Sequence, residues 1–124
     1  MAAPNIVNVT TIYGKTTYLT PTNITSNVLL ANPAASGKVL KVNMIMATNV
    51  DGATPFDTTV AINTLAAGSG TSYPLISTAS VPADASLIVI DKSTCFYLEE
   101  DKSIVVTSSG ANKIAYTVSY EEIY

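Results

Sequence analysis

Histidine, arginine and tryptophan are absent from this chain, and cysteine occurs once, at Cys95. Without histidine, the usual base for a serine or cysteine nucleophile is missing. A single cysteine excludes an intrachain disulfide and every zinc site built from cysteine pairs. Flanked by Thr94 and Phe96 in a strand-like run, Cys95 is expected to be a small, half-buried side chain. The six basic residues are all lysines and face nine carboxylates, for a net charge of −3. An acidic chain without arginine has little electrostatic hold on a phosphate backbone, so nucleic acid is not an expected partner.

Charge of either sign is also scarce. Only 12% of residues are charged while 48% are hydrophobic, about half the usual charged share of a soluble domain. Yet no apolar run approaches the roughly 18 residues of a membrane span; the longest clear one is Leu87-Ile88-Val89-Ile90. The opening "MAAPNIVNVT" lacks the basic segment and apolar core of a signal peptide. A soluble chain with no membrane partner is therefore expected. Threonine, serine and asparagine supply neutral polar cover, and neighbouring subunits would hide the apolar surface that remains. Such a composition suits an assembly subunit better than a free monomer.

What is present is the period of strands. Leu40, Val42, Met44 and Met46 alternate with Lys41, Asn43 and Ile45, and Val60 and Ile62 with Thr59, Ala61 and Asn63. Ile114, Tyr116, Val118 and Tyr120 alternate with Lys113, Ala115, Thr117 and Ser119 in the clearest amphipathic strand of the chain. Val28 and Leu30 mark a further strand. Turn chemistry interrupts these runs at Tyr13-Gly14-Lys15-Thr16, Asn32-Pro33 to Gly37-Lys38, Asn49-Val50-Asp51-Gly52, Ala66 to Gly70, Val81-Pro82-Ala83-Asp84 and Ser108-Ser109-Gly110-Ala111. About eight to ten short strands without a credible helix predict an all-β, antiparallel β-sandwich of jelly-roll or Ig-like type. Residues 1–124 form one domain on this reading, with 1–9 as an N-terminal arm.

Chemistry, if there is any, would have to start from Glu99, Glu100 and Asp101 in "YLEEDKSIVV". Calcium needs about six to eight oxygen ligands from one or two loops. Three consecutive acids cannot all face one ion from a strand, so a hairpin corner with its charges in water is the simpler reading. No catalytic residue, metal ligand or cofactor is therefore assigned, and no enzymatic activity is expected. A glycan site would ordinarily present aromatic platforms. Of the tyrosines, Tyr116 and Tyr120 fall on the apolar face of their strand, while Tyr13, Tyr18, Tyr73 and Tyr124 are freer.

Three segments, "MAAPNIVNVTTIYGKTT", "ASGKVLKVNMIMATNVDG" and "VPADASLIVIDKSTCFYLEEDKSI…YTVSYEEIY", occur in this order. Together they resemble a family of small virion structural proteins of tailed bacteriophages, especially those infecting marine cyanobacteria. Relatives favour a Gly-Asp pair at the corner where this chain has Asp101-Lys102-Ser103. The resemblance implies a homotrimer that decorates or cements the capsid exterior, with the major capsid protein and other copies of itself as partners. Alternatives are a tail, collar, baseplate or fibre-associated virion component, or a carbohydrate-binding module for host-surface glycans. Candidate interface residues are Ala2, Ala3, Pro4, Asn5 and Ile6 in the arm, where Pro4 discourages early pairing. In the last strand they are Tyr116, Tyr120 and Tyr124, since aromatics favour buried interface centres.

Overall fold

The alternation near the C-terminus does what a period of two dictates. In the computed structural model, which describes residues 4–124, Ile114, Tyr116 and Val118 are fully buried while Ala115, Thr117 and Ser119 face the other way. This strand, β9 (Ile114–Ile123), lies between β1 (Ile12–Leu19) and β3 (Val39–Asn49). Beyond β3 lie β6 (Ser86–Ile90) and β7 (Phe96–Leu98), both paired to it. A second sheet holds β2 (Asn27–Asn32), β8 (Lys102–Ser108), β4 (Phe56–Asn63) and β5 (Ser72–Val81), in the order β2-β8-β4-β5. Every pairing among these nine strands of the described residues is antiparallel. The fold is a two-sheet β-sandwich.

The core lies between the sheets. Leu40, Val42, Ile45, Ala47, Tyr116 and Val118 enter from one side, and Leu30, Val60, Ile104 and Val106 from the other. Each large aliphatic side chain buried there contributes roughly 1.5–3 kcal/mol relative to exposure. Tyr116 brings a polar group inside, and its hydroxyl bonds to that of Thr58 and donates to the carbonyl of Thr107 at 3.1 Å. Those bonds join the two sheets across the core.

Four expectations from the sequence fail here, the first three for a long-range reason. The simple alternation of β3 does not persist: the register against β9 shifts between Val42 and Met44. Beyond the bulge Ile45 and Ala47 point inward, and Met44 and Met46 turn to the outside. Tyr13-Gly14-Lys15-Thr16 is no turn, because these residues pair continuously with β9 from Glu122 to Ser119. "YLEEDKSIVV" is not a hairpin corner: β7 belongs to one sheet and β8 to the other, so the segment crosses between layers. Cys95, in the connection between β6 and β7, is exposed.

The outer faces of the two sheets differ. Over the second sheet, the β4–β5 loop folds back so closely that a Cβ on Gly68 would lie 2.8 Å from Val28 Cγ2 and 3.2 Å from Val105 Cγ1. Gly68 also has φ of +78°, where a side chain is strained. Val105 and Ala61, opposite each other on β8 and β4, are buried even though they flank core-facing neighbours.

Candidate assembly surface

The acidic corner holds loops together. Gly37 N–H donates to Glu100 Oε2 at 3.3 Å, and Ala66 N–H to Asp101 Oδ1 at 3.2 Å. Glu100 and Asp101 are thus half-buried clamps on the β2–β3 and β4–β5 loops, and Glu99 alone of the three stays exposed. Asp101 has φ of +54°, the left-handed conformation that glycine adopts at least cost. Among the described residues, no three Asp, Glu or Cys side chains converge as a metal site.

Three asparagines organise the loops from inside. Asn32, Asn49 and Asn63 are each almost fully buried and each ends a strand: β2, β3 and β4. Asn32 Nδ2 donates to the carbonyls of Lys38 and Leu98, both at 3.0 Å. Asn49 Nδ2 donates to those of Thr54 at 2.9 Å and Val81 at 3.0 Å, while its Oδ1 accepts Asp51 N–H. Asn63 is the most connected. Its amide nitrogen donates to Gly68 O, Gly70 O and Ser72 Oγ, and its oxygen accepts the N–H groups of Leu65 and Gly70. Asn32 and Asn49 open turns in the sequence and Asn63 reads there only as a strand position; an asparagine at the end of an apolar run and before a small-residue loop is the local signal for such a buried amide.

Ion pairs sit at the margins. Lys113 Nζ lies 2.8 Å from Asp51 Oδ2. That hydrogen bond, with the N–H groups of Ala53 and Thr54, lowers the Asp51 pKa to about 2. Glu122 is pushed up by partial burial, but bonds from Lys38 and Lys15 outweigh this and hold it below the ordinary range. Asp91 is lowered by the hydroxyl and N–H of Ser93. Burial pushes the Tyr116 phenol up.

The outer face of the first sheet is bare. Tyr18 on β1 pairs with Thr117 on β9, Thr117 with Met46 on β3, and Met46 with Ile88 on β6, forming one row across four strands. The adjoining row runs Thr16, Ser119, Met44. Tyr18 is 78% exposed and Ile88 61%. Thr16, Asn43, Met44, Ile88 and Ser119 line a shallow groove of about 670 Å³ together with Asp91 and Lys92. Neither row contains a charged side chain.

The anticipated interface residues are scattered. Tyr116, buried in the core, cannot serve an interface; this corrects the expectation. Tyr120 is half-buried, opposite Lys15 and Val42, and packs against the core. Tyr124 is partly exposed, with its ring 6.1 Å from that of Tyr13 and Lys38 Nζ 5.0 Å above it. Ala2 and Ala3 lie outside the described residues. Pro4 and Ile6 border a small groove of about 220 Å³ with Val39, Tyr97 and Glu99. Asn5 closes a tight turn, accepting Asn8 N–H at its carbonyl and Val7 N–H at its side chain. That turn leaves Val7 90% exposed.

No family model matches this chain, and no curated protein matches it. Among solved structures, its fold is similar to part of a chain from the T13 IBDV viral particle. The TM-score is 0.49 and the identity 10%, over 93% of this chain and 31% of that one. This chain therefore spans less than a third of that protein's length.

Proposed function

We propose that this chain is a non-enzymatic structural subunit of a bacteriophage virion that decorates or cements the capsid exterior. The observation that carries the reading is the uncovered outer face of the first sheet, whose two central rows hold no charged side chain, on a chain already poor in charge. A rigid sandwich with such a face has a surface to give to neighbours. The resemblance of the three sequence segments to phage virion proteins points the same way and supplies the capsid as the partner. The work would be mechanical: contacts made only in the assembled shell stabilise that state by mass action. Repetition over symmetry-related positions multiplies a modest affinity per site where subunits are linked to one another.

Residues 2–9 are the proposed tether. Deleting residues 2–5 should abolish binding to purified particles in a co-sedimentation assay while leaving the melting temperature within about 2 °C of the full chain. The strands begin only at Ile12, so the deletion removes no ladder pairing. Retained binding would remove the arm from the model. Loss of capsid binding together with specific recognition of a host-surface sugar would favour a glycan-binding role.

A further inference from the structure

We propose that the outer face of the first sheet is the contact between two copies of this chain, packed sheet to sheet about a two-fold axis. Strands 4.7–4.9 Å apart, with about 3.3 Å per residue, give the exposed four-strand patch an area of roughly 400 Å² in projection. Two such patches, with side-chain relief, bury about 1,000 Å² in total, the lower bound for a specific interface. Pairing at this size is expected to be concentration-dependent.

Charge argues for a second copy as the occupant. The groups bordering the face are Lys41, paired to Glu121 at 3.9 Å, and the consecutive Asp91 and Lys92. Two lysines against two carboxylates leave this side neutral. The chain as a whole carries −3, so copies that meet through this neutral side repel one another less than copies that meet through an acidic one. The centre of the face also has the composition of an interface core, with Tyr18 and Ile88 exposed and Met44 and Met46 half-buried among threonine and serine. A sheet that buries both faces needs no other occupant: facing sheets interdigitate about 10 Å apart, and identical rows of mixed large and small side chains supply both halves.

The inference stands apart from the virion reading, because it is tested on the isolated chain. Sedimentation velocity from about 1 to 200 µM should show a monomer–dimer equilibrium between 12.9 kDa and twice that mass. Ile88→Lys and Tyr18→Lys, on different strands and both outside the core, should each weaken association at least ten-fold. Tyr73→Lys, at a tyrosine on the other sheet that is about as exposed as Ile88, should leave it unchanged. Near-ultraviolet circular dichroism on each variant separates loss of pairing from loss of fold. In the wild type, amide exchange in β9 and β3 should slow as concentration rises.

A chain that stays monomeric at 200 µM overturns the proposal. So does a trimer, the stoichiometry implied by the family resemblance, or association that Tyr73→Lys weakens as much as Ile88→Lys. Particle binding by a strictly monomeric chain that Ile88→Lys abolishes would assign the face to a different protein.

Discussion

Replacing Asn63 tests whether one buried amide holds the second sheet's cover in place. The side chain makes five hydrogen bonds, to Gly68, Ser72 and Leu65 and twice to Gly70. In Asn63→Ala all five vanish. A net of about 1 kcal/mol per bond sets an upper bound near 5 kcal/mol. Gly70 and Leu65 are exposed enough for water to replace part of that, so about 3 kcal/mol is expected. At about 4 °C per kcal/mol for a domain of this size, the melting temperature should fall by about 12 °C. Because Gly68 rests on Val28 and Val105, the amides of β8 should also lose protection from exchange.

Asn63→Asp is the sharper variant because it keeps the shape and reverses two donors. At pH 7 a carboxylate would face the carbonyl oxygens of Gly68 and Gly70, so the cost should equal or exceed that of alanine. Such a carboxyl titrates above its unfolded value of about 4. The folded state then binds more protons than the unfolded state between those two values, so stability relative to wild type rises as pH falls through that range. Urea midpoints at pH 7, 5 and 4 read this directly. An Asn63→Asp protein as stable as wild type at pH 7, or a deficit that ignores pH, would refute the assigned hydrogen bonds.

Two further perturbations probe the core and the margins. Tyr116→Phe should cost about 1–2 kcal/mol, since it leaves the buried Thr58 hydroxyl without its partner. Tyr116→Phe with Thr58→Val should cost less than the sum of the single changes, measured by chemical denaturation. Asp51, held near pKa 2 against an ordinary 3.8, contributes stability that is present above pH 4 and lost as pH falls through 2. Asp51→Asn should therefore show a shallower decline in urea midpoint between pH 4 and 2 than wild type, the remainder coming from Glu122 and Asp91.

The two-layer all-β architecture was legible because alternation in segments such as Ile114 to Tyr120 is a local consequence of the pleat. The bulge at Asn43 was not, because it exists only where β3 meets β9, and a one-residue shift turns Met44 and Met46 from core to surface. That shift also hid the candidate surface, whose central row draws on four strands from distant parts of the chain. The acidic corner misled for a related reason. Glu100 and Asp101 look solvated from their neighbours in sequence, whereas their partners, Gly37 and Ala66, lie far away along the chain. Tyr116 was read correctly as facing the apolar side, but that side faces the chain's own second sheet.

Copy number in the particle tests the central claim most directly. On the proposed reading, quantitative mass spectrometry of purified virions, with the position of this chain imaged by electron cryomicroscopy, should give hundreds of copies on the outside of the shell. A few to a few tens of copies confined to the tail, or absence from the purified particle, would contradict it.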